Sequence, residues 1–207
     1  MILAELLSRR LFRTSRIALW GQRLDGPLPA PALPADLAVA CVTGHDAQSP
    51  RLARLVEAMR PTSLLEIHDR LASDRRAYLV EAGPTVVAYG WVTLGEERIA
   101  EVEGTIRVGP GEAYIWDCAT LPAWRGRGLY PALLRAIARD LAAEGLEWVW
   151  IAARRENRPS LRGFEKAGYV PMADIDYWRL WRWRRLAVRA EAGAAAACGR
   201  PLRRVVA

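Results

Sequence analysis

The run TLPAWRGRGLYPALL, from Thr120 to Leu134, sets Gly126 and Gly128 among Arg125 and Arg127, just ahead of Pro131 and a leucine-rich stretch. Glycine weakens regular structure and is retained where the backbone turns tightly or must approach a ligand. A strand ending at Thr120, a turn through Arg125-Gly126-Arg127-Gly128 and a helix starting behind it would aim consecutive backbone N–H groups into one concavity. That is a cradle for a pyrophosphate: the glycines leave room, the helix dipole favours negative charge, and the arginines add counter-charge. A plain steric strand-to-helix turn would also use glycines. The two best-known phosphate loops do not fit, because Leu129 and Tyr130 stand where a P-loop needs lysine and Ser or Thr. The three glycines of a dinucleotide fingerprint are absent as well.

Positioning such a loop requires elements on both sides. Leu129, Leu133, Leu134, Ile137, Ala138 and Leu141 recur at helical spacing, Pro131 suits the first turn, and Gly145 ends the helix. Upstream, LAVACV reads as a strand, and Asp46 to Ser73 as two helices divided by Pro61, the second opened by the capping pair Ser63 and Glu66. RAYLVEA and TVVAYGWVTL form an expected hairpin around Gly83-Pro84, Arg98 to Val108 a further strand, and AYIWDCATL the strand before the glycine turn. EWVWIAA, a short helix from Ser160 to Ala167, and the strands GYVPM and DYWRLWRWRRL close the order. The fold class expected is mixed α/β, one twisted mixed sheet flanked by helices.

The ends read differently from the middle. MILAELLSRRLFRTSRIALW pairs leucines with Arg9, Arg10, Arg13 and Arg16, a basic amphipathic helix that either packs on its own domain or lies on a membrane surface. No apolar core with a small-residue cleavage site follows those charges, so a secretory signal is not expected. GPLPAPALPADL is a proline-rich connector. The organisation expected is residues 1–36 as basic helix and connector, 37–186 as the domain, and 187–207 as an alanine- and arginine-rich extension.

With 207 residues, 52% hydrophobic and 26% charged, the chain is globular and long enough for an enzyme. A net charge of +7 suits polyanions of any kind and selects none of them. Cys41, Cys118 and Cys198 show no zinc or disulfide spacing, and His45 and His68 have no ligand-like company, so no metal is expected and a reducing cytoplasm is the simplest setting.

Together with ENRPSLRGFEKAGYV, from Glu156 to Val170, the glycine run resembles the acyl-CoA-binding core of the GNAT superfamily of N-acetyltransferases. Arg125 and Gly128 fall on that family's pyrophosphate motif, Tyr130 departs from its final Gly or Ala, and Pro122 matches upstream. Asn157, Ser160, Gly168 and Tyr169 match the asparagine helix and closing glycine-aromatic pair. The resemblance covers roughly Ile115 to Val170 and implies a GNAT-like fold, with acetyl-CoA or another acyl-CoA as co-substrate and an amine as acceptor, attacked directly.

Residue by residue, the resemblance implies that Cys118, Ala119 and Thr120 offer main-chain groups to the pantetheine arm, one N–H polarising the thioester carbonyl. Arg125, Gly126, Arg127, Gly128, Leu129 and Tyr130 would hold the pyrophosphate through backbone N–H groups, and Asn157 would contact the cofactor. The mechanism needs a base for the ammonium and an acid for the thiolate. Strand alternation puts Asp117 on the face of Ala119 and makes it the base; a carboxylate paired with an arginine is the competing role. Glu101, Glu103 and Glu112 stand in reserve. The family's tyrosine acid position holds Phe164, which donates no proton, so Tyr169, Tyr130 or water would replace it, or the thiolate leaves unaided. Cys118 reads as a buried cysteine rather than a nucleophile.

Trp178, Trp181 and Trp183 alternate with Arg179, Arg182, Arg184 and Arg185, which reads as a closing strand with a buried aromatic face and a solvated arginine face. A wall of the acceptor pocket and a base-stacking surface are the other readings. Trp91, Trp116 and Trp150 are expected in the core or pocket wall. The partners expected are a small-molecule or protein amine and, as an assembly, a homodimer; nucleic acid is not expected, and any peripheral membrane contact would run through the N-terminal basic helix. Two competing functions remain: a catalytically weak acyl-CoA-binding module, and a membrane or nucleic-acid adaptor using the basic termini.

Overall fold

The computed structural model describes residues 12–46, 48–72 and 74–191, and the backbone of residues 205–206. The expected helix over residues 1–11 and the tail 192–204 lie outside the described residues.

An eight-stranded mixed sheet forms the frame. The expected hairpin is present as β3 (Arg75–Ala82) and β4 (Thr85–Thr93), turning through Gly83 at φ +55. β2 (Leu37–Val42) pairs antiparallel with β3, and β4 pairs antiparallel with β7 (Glu112–Thr120). β7 runs parallel to β8 (Trp148–Arg154). β1 (Phe12–Arg23) lies between β8 and β9 (Val170–Leu180), antiparallel to both, and β10 (Trp183–Ala190) forms the edge.

The placement of β1 corrects the reading of a basic N-terminal helix from Phe12 onward. Apolar residues mixed with arginines fit either period over a short window. The second half of β1 is buried on both faces, Ile17 and Leu19 on one and Ala18 on the other, as a central strand requires. The arginines sit where neighbouring strands supply carboxylates: Arg13 pairs with Glu103 at 3.1 Å and Arg16 with Asp176 at 2.7 Å. The segment before residue 37 therefore belongs to the sheet, and β10 likewise runs across the boundary expected at residue 186.

A second correction concerns Arg98 to Val108. The chain reverses there, giving a hairpin of β5 (Glu96–Ile99) and β6 (Gly104–Arg107) with Glu103 at φ +46 in its turn. The backbone of Val205–Val206 (β11) adds to β6, completing a small second sheet.

Among the described residues, four α-helices complete the layers. α1 (Pro50–Ala58) and α2 (Leu64–Leu71) flank Pro61, and α2 opens with the reciprocal Ser63–Glu66 capping box. α3 (Leu129–Ala143) and α4 (Arg158–Ala167) cover one face of the sheet, with Leu133, Leu134, Ile137 and Phe164 in one core with Tyr78, Val80, Ile115 and Ile151. Each such side chain contributes roughly 1.5–3 kcal/mol on burial, so packing holds α3 behind the end of β7. The opposite face is shared by α1 and α2, over Leu79 and Trp91, and by the β5–β6 hairpin, over Ile17, Trp150 and Ile175.

Candidate functional site

The only parallel pair among the described strands of the large sheet opens like a fork. β7 and β8 are paired over Glu112–Ile115 and Trp148–Ile151, and past those residues they part. A notch of about 350 Å³ fills the gap, with Trp116, Asp117 and Cys118 on one side, Ala152, Ala153 and Arg154 on the other, and Phe164 among its lining residues.

β7 is also bulged at this point. Tyr89 faces Ala119 and Trp91 faces Trp116, so Asp117 and Cys118 together oppose Gly90. Asp117 takes φ +43. A Cβ on Gly90 would lie 2.8 Å from the Cys118 sulfur, so glycine is what lets that side chain turn inward. The simple alternation assumed for this strand therefore breaks: Trp116 and Ala119 both pack toward α1 and α2, whereas Cys118 packs toward α3.

On the α3 side of the notch lies a cleft of about 610 Å³ between the glycine turn and α4. Gly126 and Gly128 sit at φ +78 and +74, and a Cβ on either would meet nothing within 4 Å. The N–H groups of Gly126, Arg127, Gly128, Leu129 and Tyr130 have no protein acceptor among the described residues. Arg125, Arg162 and Lys166 line the cleft and no carboxylate does. The side-chain oxygen of Thr120, also on its wall, is buried without a partner. Free N–H groups, an open cradle and cations suit a pyrophosphate carried by an extended chain, so the residues fit coenzyme A.

Several expected binding residues take more specific places. Arg125 spends its N–H on the Pro122 carbonyl and its guanidinium Nε on the Thr120 carbonyl, so the cradle begins one residue later, at Gly126. Arg127 lies off the cleft wall, its guanidinium 4.7 Å from the Trp124 ring centroid. Leu129 turns its side chain into the core. Cys118, Ala119 and Thr120 line the cleft along the β7 edge left free by β8. Asn157 lines the cleft and also caps α4, its side-chain oxygen accepting from the Ser160 N–H at 3.3 Å.

On the other side of the notch is a third cavity, about 320 Å³, bounded by Ile17, Ile99, Tyr114, Trp116, Glu101 and Asp117. Asp117 lines both this cavity and the notch, and it is paired with Arg70 of α2 at 2.5 Å. The arginine-paired role and the cavity-facing role thus coexist. Glu101 lines the same two cavities with no ion pair or hydrogen bond among the described residues. Of the other reserves, Glu103 is latched by Arg13, Arg179 and Tyr177, and the Tyr177 hydroxyl, donating at 2.7 Å, is the leading cause that holds its carboxyl below the usual range. Glu112 is buried and accepts from the Gly109 N–H.

Tyr169 does not reach the site. It is 2% exposed, lines none of these cavities and packs on Phe164, so its assignment as proton donor is corrected. Phe164, on the notch wall, packs against Trp20, Tyr130 and Tyr169. Cys118 lines both cleft and notch, but burial pushes its thiol up to about 12, which leaves it protonated and a poor nucleophile. Tyr130 lines both as well, and its hydroxyl interacts with Cys118 and Ser160.

Sequence reasoning missed Arg70, Gly163, Arg162 and Lys166. The last two had a signal, since Arg158, Arg162 and Lys166 recur every four residues on α4. The tryptophan-rich strands also differ from expectation: Trp178, Trp181 and Trp183 are 39%, 63% and 69% exposed, and none lines the cleft, notch or third cavity. β9 and β10 reach the free end of β1 at Phe12, itself exposed, so no described layer covers their aromatic side. Trp91 and Trp150 are core residues, and Trp116 is pocket wall. Among the described residues no cluster could hold a metal ion, and no helix is long and apolar enough to cross a membrane.

A family model described as Acetyltransferase (GNAT) family matches residues 45–169. Among solved structures, a GCN5-related N-acetyltransferase from Sphaerobacter thermophilus is similar at 18% identity and a TM-score of 0.58, covering 91% of this chain and 56% of that one. A GCN5-related N-acetyltransferase from Kribbella flavida is similar at 20% identity and a TM-score of 0.52, covering 94% and 65%. An acetyltransferase from the GNAT family of Colwellia psychrerythraea is similar at 10% identity and a TM-score of 0.55, covering 87% and 62%. At these identities the likeness is one of fold, and the chain spans less than two thirds of each of these proteins. No curated protein matches it.

Proposed function

The chain belongs to the acetyltransferase (GNAT) family, and from that premise we propose that it transfers an acyl group, acetyl being the first candidate, from acyl-coenzyme A to a primary amine by direct attack. The observation that carries this reading is the meeting of two unlike cavities at Cys118 and Tyr130. One is cationic with free N–H groups, and the other opens beside Asp117 and Glu101.

Gly126 to Tyr130 would hold the pyrophosphate by main-chain N–H groups, with Arg162 and Lys166 supplying counter-charge. Cys118 to Thr120 would align the pantetheine arm along the free edge of β7. When bound, the acyl-coenzyme supplies an activated carbonyl with a thiol leaving group. The chain's own task is to present a neutral amine in the notch, shielded by Trp116 and Ile115. Asp117 and Glu101 are the carboxylates placed to take the ammonium proton, directly or through water.

Calorimetric titration with acetyl-CoA tests the first half of this reading, and absence of binding at millimolar ligand would dismiss it. Thiol release across a panel of amines tests the second half. Binding without amine-dependent release would make the chain an acyl-CoA-binding module, the alternative that Phe164 motivates.

A further inference from the structure

The position of Tyr130 reaches beyond this reading. Phe164 carries no hydroxyl, and that of Tyr169 is buried without a partner, away from every cavity of the site. Tyr130 alone among the tyrosines lines both the cofactor cleft and the notch. Its ring lies over Gly163 of α4, and Cys118 and Ser160 share both cavity walls with it. A phenol on the wall shared by the two cavities is placed to meet a group that enters the notch from the cleft.

We infer that Tyr130 is the proton donor to the leaving thiol, a role that rests on the acyl-transfer reading. As the acceptor nitrogen bonds to the acyl carbon, the carbon–sulfur bond breaks with its electron pair on sulfur. The phenolic proton passes from Tyr130 to that sulfur, and the proton shed by the nitrogen restores the phenol. Burial holds the Tyr130 hydroxyl well above its ordinary value, so the acid form persists across neutral pH. The same chain position that breaks the family's glycine-turn pattern would thereby supply the hydroxyl missing at Phe164.

The test is Tyr130→Phe in the full chain, which removes one oxygen and keeps the ring over Gly163. With coenzyme A bound, a thiolate absorbance titration, referenced to the desulfo-coenzyme complex, reads the thiol directly. Loss of the donated hydrogen bond should raise that pKa by about one unit. Turnover should fall on the order of 10²–10³-fold, with KM for acyl-CoA and the calorimetric affinity for coenzyme A within about twofold of wild type. An unchanged thiol pKa together with turnover within about threefold of wild type would overturn the assignment. Thiol release that ignores every amine, yet collapses in Tyr130→Phe, would refute the acceptor reading and still support Tyr130, because hydrolysis expels the same thiol. A wild-type chain that binds no coenzyme A would remove both.

Discussion

A Cβ placed on Gly163 would lie 2.5 Å from Cδ1 of Tyr130: the ring that α3 sends into the site occupies the space that α4 leaves by having no side chain there. Glycine inside a helix costs about 1 kcal/mol relative to alanine, so α4 gives up helix stability for the placement of this ring.

Gly163→Ala should therefore destabilise the chain by up to about 2 kcal/mol net, because overpacking costs roughly 1–3 kcal/mol against a propensity gain of about 1. In a Tyr130→Ala background the same substitution should be neutral or stabilising. Denaturant unfolding of the four proteins in the cycle measures the coupling, and additive effects would show that the two residues do not share this space.

Gly128→Glu puts a carboxylate where free N–H groups converge, at a left-handed residue with open space around its Cβ. The fold should survive with a loss of about 1–2 kcal/mol for the backbone strain. Affinity for acetyl-CoA should drop well over tenfold, an order-of-magnitude expectation for like charge in an anion cradle. Undiminished calorimetric affinity would place the phosphates elsewhere.

Glu103 fastens the β5–β6 hairpin to β1 and β9, and its carboxyl is held below the ordinary glutamate value of 4.5. A depressed folded value means the stabilisation is in full force above about pH 4.5 and is lost as pH falls through the lower folded value. The stability gap between wild type and Glu103→Gln should be level near neutrality and close on acidification below pH 4.5, as thermal melts across that range would record. A gap that did not change with pH would detach the hairpin from this carboxylate.

Arg70 lies 5.2 Å from the Trp91 ring centroid and 5.0 Å from that of Trp116 while pairing with Asp117. Arg70→Met should cost about 1–2 kcal/mol, mostly from the lost cation–π contacts. Asp117→Asn keeps the side-chain shape but cannot take a proton, so turnover should fall by at least about tenfold. An unaltered pH–rate profile in Asp117→Asn would exclude this carboxylate as the base and leave Glu101.

Much of the candidate site's local structure was legible because it rests on local signals. The glycine turn, the helix from Leu129 and the Ser63–Glu66 cap depend on residues within a few positions of one another, and each stands as expected. What escaped depends on distant neighbours. Nothing in the run IALW tells that Ala18 will face Ala153 on one side and Asp174 on the other. The bulge at Asp117 is a property of the β4–β7 register, which strand alternation cannot foresee. Gly163 was visible as a glycine inside a helical stretch, but only the fold brings Tyr130 against it.

The central position of β1 also bears on how the chain is made. Its partners β8 and β9 are the third- and second-last strands of the large sheet to be synthesised, so an apolar strand must wait through most of translation. Pairings this remote in sequence close slowly. Pulse-labelled hydrogen exchange during refolding should find the β3–β4 hairpin protected before β1. Early protection of β1 would mean that a transient partner shields it until β8 arrives.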